Sequence, residues 1–242
     1  MSQTTFQQII SKLEKLYGRP QSPQITDPLE MILFENVAYL VSDDQRKKAF
    51  NALRDQIGLN PTDILSAPSD KLIEVARVGG MRPEDRARKL QFVARIVLSE
   101  FQGDLRQVLE WPVAKARKAL KKFPGIGDPG ADKILLFSQT RPILAIESNG
   151  LRALVRLGFG EEMKNYALTY AQAQEATRNQ LVEDCDWLIR AHLLLRRHGQ
   201  ELCKRTEPIC NSCPLTENCR YWRENSPGLG RDKIGAKSSP KK

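Results

Sequence analysis

The sequence predicts an all-α protein, and three observations predict it. Apolar residues recur three and four positions apart along most of the 242 residues, with no convincing alternation of period two. Pro and Gly punctuate those stretches: Pro28, Gly58 before Asn60-Pro61, Gly79-Gly80 before Pro83, and Gly103-Asp104. A hydrophobic content of 40% suffices to bury a core and excludes a chain disordered throughout.

The elements follow in order. PLEMILFENVAYLV opens at Pro28, then come DDQRKKAFNALRDQIG, SDKLIEVARVGG, PEDRARKLQFVARIVLSEF, VAKARKALKKF and, after the middle of the chain, DWLIRAHLLLRRHG. Together with shorter pieces they make about ten helices. No apolar run approaches the roughly 18 residues of a membrane span, and MSQTTFQQIISKLEKLYG lacks the apolar core of a signal peptide. These features read as a soluble, cytoplasmic protein.

Charge is unevenly placed. The chain holds 38 Lys and Arg against 29 Asp and Glu, a formal +9. Residues 220–242 carry seven bases (Arg220, Arg223, Arg231, Lys233, Lys237, Lys241, Lys242) and two acids (Glu224, Asp232), so +5 of the +9 lies there and +4 in residues 1–219. A basic excess suits nucleic acid through phosphate neutralisation, or simply aids solubility. Residues 224–242, rich in Gly, Ser, Pro and Lys, have little to bury and read as a disordered basic tail. Arg82, Arg86, Arg88 and Lys89 gather near a helix start, as a phosphate-binding face or as a solvated one.

KARKALKKF-PGIGDPG-ADKILLF is a helix, a tight glycine turn and a second helix. Pro124 ends the first helix, and Gly125 and Gly127 permit a backbone path closed to residues with a Cβ. Asp128 is a candidate cap for the next helix, with Pro129 at its first position. Such a turn aims backbone N–H groups at the start of a helix, which makes a phosphate cradle beside Lys121 and Lys122; the plain alternative is an ordinary turn between helices.

Four of the five cysteines fall within seventeen positions, as Cys203-x6-Cys210-x2-Cys213-x5-Cys219. Without an export signal the cluster reads as a metal site. Four thiolates suit either zinc or an iron–sulfur cluster, and their chemistry alone does not choose. Cys185, in a helical stretch, reads as a small buried apolar residue. His192 and His198 read as packing and capping next to the cysteine loop.

PGIG, the following LAIESNGLRALVRLG and the distal cysteines resemble the helix-hairpin-helix (HhH-GPD) DNA glycosylases of the endonuclease III superfamily. The match runs without gaps from Gly125 to Arg152, and more loosely from about Asp27 to Cys219. The resemblance implies two helical lobes with a cleft between them: residues 22–132 ending in the hairpin, and residues 1–21 plus 133–223 bearing the cysteines. It implies that Lys122, Gly125, Ile126, Gly127 and Gly130 hold the phosphates of duplex DNA containing a damaged or mismatched base, with Lys204 and Arg205 as further contacts. It implies a structural [4Fe–4S] cluster on Cys203, Cys210, Cys213 and Cys219, and a monomer acting on the nucleoid.

Cleaving a base from its sugar passes through an oxocarbenium-like state, which calls for a carboxylate near the anomeric carbon. The family's Asp after the hairpin corresponds to Glu147, one methylene longer, which shifts the charge by roughly 1.5 Å. Members that also cut the strand carry a Lys in the hairpin's second helix that forms a Schiff base with the sugar. Pro129 stands at that position, and a prolyl nitrogen within the chain cannot do this. Lys133 lies one turn further on. Monofunctional members carry a Glu in the helix after the entry Pro, here Glu35, where an apolar setting would raise its pKa for proton donation or let it orient water. The expectation is a monofunctional base-excision glycosylase. A non-catalytic DNA-binding homologue and a bifunctional enzyme using Lys133 are its rivals. Tyr39 and Leu40, by default packed in the core, are candidates for the wedge that fills the gap left by a flipped base.

Overall fold

The computed structural model describes residues 5–226. Among them are twelve α-helices: α1 (Phe6–Tyr17), α2 (Pro28–Asn36), α3 (Asp43–Gln56), α4 (Pro61–Ser66), α5 (Ser69–Val78), α6 (Pro83–Phe101), α7 (Val113–Leu120), α8 (Asp128–Phe137), α9 (Ser148–Leu157), α10 (Tyr166–Thr177), α11 (Cys185–Glu201) and α12 (Arg220–Asn225). No strand forms among the described residues, and one isolated bridge joins Tyr39 to Gly80. The all-α expectation holds. Of the expected tail, Glu224 and Asn225 belong to α12, and residues 227–242 lie outside the described residues.

The chain divides into two compact units, both discontinuous in sequence. The hairpin unit comprises residues 20–147 and 181–193; the cysteine unit comprises residues 1–19, 148–180 and 194–242. The division falls at Glu147, later than the boundary at residue 132 drawn from sequence. The reason is α8. Its buried Asp132 is ion-paired to Arg117 of α7, and its Ile134, Leu135 and Leu136 are buried, so it stays with the hairpin.

In the hairpin unit Ile32, Leu33, Leu53, Ile64, Leu72, Leu90 and Leu120 are fully buried, each side chain worth about 1.5–3 kcal/mol. Asp27 caps α2 by accepting from the N–H groups of Leu29 and Glu30, and Ser42 caps α3. Helix α2 stops at Asn36, short of the AYLV that the periodicity assigns to it. The N–H of Tyr39 bonds to Gly79 O, and Arg46 of α3 takes up the carbonyls of Phe34, Glu35 and Ala38. The last turn of α2 is thus capped by a side chain from the next helix.

In the cysteine unit, α1 begins with a capping box between Thr5 and Gln8 and buries Phe6, Ile9, Ile10 and Leu13. Phe6 meets Phe159 edge-on at 6.1 Å. Arg220 of α12 bonds the carbonyls of Val155 and Gly160, which tethers the end of the cysteine loop to α9.

Candidate active site and cysteine centre

The hairpin joins α7 to α8, and one side chain ties it to α2. Asn36, at the end of α2, donates through Nδ2 to Pro124 O and to Ile32 O, both at 2.9 Å. The turn is therefore clamped to the same turn of α2 that carries Glu35. Gly125 has φ +76°, a conformation that favours glycine. Gly127 does not: its φ is −97°, and an added Cβ would meet Pro129 Cδ at an ordinary 3.8 Å. The expectation that both glycines serve the backbone path is corrected to Gly125 alone. Asp128 does not cap α8. It is the first residue of the helix, Pro129 is the second, and the Asp128 carboxylate accepts from Lys121 Nζ at 2.7 Å. Ile126 is buried and packs 3.3 Å from where a Cβ on Gly130 would lie, so these two residues shape the turn from inside. Lys122 is ion-paired with Glu100. Lys121, Lys122, Arg117 and Lys118 line one shallow concavity with Asp128, a cationic surface beside the turn.

Glu35 and Lys133 come together across 98 residues of sequence. Lys133 Nζ lies 3.3 Å from Glu35 Oε2, and the side chains are 27% and 38% exposed respectively. The half-exposed ion pair differs from the secluded acid expected from the apolar sequence around Glu35. Such a pair contributes at most about 1 kcal/mol to stability. Glu147 follows Leu144, Ala145 and Ile146, all buried, at the end of the irregular segment before α9, and is itself half-buried. His192 of α11 anchors that segment, donating from Nδ1 to Ala145 O at 2.8 Å with its ring edge-on to Phe137 at 5.1 Å.

Two further expectations change. Arg86 is buried, donating to the carbonyls of Ala76 and Gly80 at the end of α5, so it leaves the proposed phosphate face to Arg82, Arg88 and Lys89. Tyr39 and Leu40 are not core residues: Leu40 is 74% exposed with φ +53°, because α2 has already ended.

In the cysteine unit, Cys203, Cys210, Cys213 and Cys219 line one cavity with Arg156 and His198. None of the four is in a disulfide. Burial pushes the Cys213 thiol up to about 11 and raises those of Cys210 and Cys219. The loop is braced by residues that the sequence did not single out as functional. Arg152 donates to Cys203 O and Gly199 O, and Arg156 donates to Lys204 O, to Arg205 O and, at 3.5 Å, to Cys203 Sγ. With their carbonyls so held, Lys204 and Arg205 are exposed. Gly199 packs α11 onto α9 so closely that an added Cβ would lie 2.3 Å from Asn149 O. His198 is buried, which lowers its pKa to about 4, and it bridges Tyr17 Oη at 3.2 Å and Cys213 Sγ at 3.6 Å. Cys185 begins α11 in the hairpin unit and is half-buried, short of the full burial expected.

Comparison with known proteins places this geometry. No family model matches the chain. It is 30% identical over 179 residues to an endonuclease III of Sulfolobus acidocaldarius, an alignment that covers 73% of this chain and 74% of the relative. The chain belongs to the endonuclease III family of DNA glycosylases. Solved structures agree on the fold. A trapped endonuclease III–DNA covalent intermediate has a TM-score of 0.70 at 22% identity, covering 91% of this chain and 98% of that one. A thermostable thymine-DNA glycosylase has a TM-score of 0.71 at 18% identity, covering 90% and 97%. Within this family the chain is a DNA N-glycosylase. No described helix is long and apolar enough to cross a membrane.

Proposed function

We propose that this glycosylase is monofunctional: it hydrolyses the bond between a damaged or mismatched base and its sugar in duplex DNA and leaves the strand uncut. The observation that carries the reading is the Lys133–Glu35 pair. Pro129 stands where a Schiff-base lysine would, and the nearest lysine along the helix is held by a carboxylate. An ammonium in an ion pair is a poor nucleophile, because its lone pair carries the proton. The carboxylate it faces is suited to orient and deprotonate water.

The remaining roles follow from chemistry. Backbone N–H groups of the turn at Gly125 and Gly127 and of the first turn of α8, with Lys122 exchanging Glu100 for phosphate, hold the strand. Exchange costs little, since an exposed pair is worth at most about 1 kcal/mol. Lys204 and Arg205 supply further phosphate contacts. Glu147 stabilises positive charge on the sugar as the base departs, and Glu35 directs water to the same carbon. The protein acts as a monomer. Two of the DNA-bound structures that the chain resembles are of endonuclease III, which supports the DNA-binding reading.

The donor set fits a [4Fe–4S] cluster. Cys203, Cys210, Cys213 and Cys219 line one cavity, and four thiolates are the donor set that would hold such a cluster. When bound, the cluster closes the 203–219 loop and supplies structure, not hydrolysis.

The test is base release from a panel of duplexes carrying uracil, oxidised pyrimidines, alkylated purines, and G or 8-oxoguanine mismatches. Release from at least one duplex, reduced about 100-fold or more in Glu147→Gln and in Glu35→Gln with DNA binding retained, is expected. Tight binding without release across the panel would favour a non-catalytic DNA-binding protein.

A further inference from the structure

We propose that Tyr17 and His198 form a relay that presents an N–H to the sulfur of Cys213 and thereby tunes the metal group held by the four thiolates. The proposal rests on the reading of these cysteines as metal ligands. Its geometry is two contacts through one ring: Tyr17 Oη lies 3.2 Å from His198 Nδ1, and His198 Nε2 lies 3.6 Å from Cys213 Sγ.

A neutral imidazole has a single N–H to give, and its two neighbours differ in what they can accept. A tyrosine hydroxyl donates or accepts. A metal-bound thiolate carries no proton and only accepts. The one arrangement that satisfies both contacts has the Tyr17 O–H donating to Nδ1 and the Nε2–H donating to sulfur. While Cys213 is a thiol, either tautomer is allowed; once it is a ligand, only one is. Metal loading therefore sets the His198 tautomer, and Tyr17 is the group that enforces it.

The relay is built to stay in place. The Tyr17 ring lies under the Arg197 guanidinium at 4.7 Å, and its carbonyl accepts from Arg197 Nη1. His198 is 2% exposed, and its neighbour Gly199 seats α11 against α9. Arg156 offers a second N–H, to Cys203. Two of the four sulfurs thus receive donors from outside the cysteine loop. A hydrogen bond to a cluster sulfur stabilises the more negative, reduced state, so it raises the reduction potential and strengthens the hold on the metal.

The experiment uses the full chain purified with its metal, after assay for iron, sulfide and zinc. Iron with sulfide supports the cluster; zinc would refute the cluster but not the relay, since the rate of metal loss to a chelator reads the relay for either metal. His198→Phe is expected to lose metal about tenfold faster or more, and in the iron form to shift the potential downward. Tyr17→Phe, which keeps the ring and removes one hydroxyl, should do the same to a smaller degree. His198→Gln, whose amide can still donate, should recover most of the wild-type behaviour. Wild-type metal loss and potential in His198→Phe would overturn the relay. If that variant does not fold, wild-type values in Tyr17→Phe would overturn it equally.

Discussion

At the hairpin, the groups proposed to meet phosphate are backbone N–H groups of a turn that Asn36 ties to α2 through one carbonyl, while Lys121 pairs with Asp128 across it. At the cysteine centre, the groups offered are four side chains. They are braced by Arg152, Arg156, His198 and Tyr17 from two other helices and the end of a third. The two regions divide their labour differently. A phosphate contact needs oriented peptide dipoles and tolerates solvent, so few side chains are required. A thiolate centre concentrates negative charge in a partly buried cavity and needs donors around it. Disturbing the cysteine centre should therefore cost stability, and disturbing the hairpin should cost binding.

The largest expected effect is at a ligand. Cys213→Ser should lower metal content and destabilise the cysteine unit by about 4–5 kcal/mol or more, read by metal assay and thermal unfolding. Next comes the clamp. Asn36→Ala leaves Pro124 O without its partner, which should cost about 1–3 kcal/mol and weaken DNA binding together, because one contact serves the fold and the turn. The smallest effect on stability, and the sharpest on the contrast, belongs to Gly127→Ala. At φ −97° alanine is unstrained, so unfolding should shift by less than about 1 kcal/mol in either direction, while DNA affinity falls because a methyl group intrudes where phosphate approaches. A large loss of stability in Gly127→Ala with DNA binding intact would reverse the assignment of roles.

The same contrast explains what was legible in the sequence. The helices, the turn and the cysteine spacing are local signals, written within one or two turns of chain, and each was readable. The boundary of α2 was not, because Arg46 and the Gly79 carbonyl end it from outside, and the period of three and four runs on into AYLV regardless. Periodicity alone therefore places Tyr39 and Leu40 in the core, where the structure exposes both. Arg86 looked like a surface cation because its partners, the end carbonyls of α5, bear no side-chain signature. The support of the cysteine centre was hidden for the same reason. Arg156 bonds groups 47–49 residues away, and Tyr17 reaches His198 across 181. Glu35 is legible from its place after Pro28, but its partner is not, because no local pattern links residues 98 apart.

The claim on which the enzymology turns is that this chain breaks the glycosidic bond without a lysine nucleophile. Borohydride reduction of the protein mixed with duplex DNA containing an abasic site measures it directly. No covalent protein–DNA adduct above background is expected, in the wild type and in Lys133→Gln alike. An efficient adduct in the wild type that disappears in Lys133→Gln would show that Lys133 leaves Glu35 to attack the sugar, and that the protein is a lyase after all.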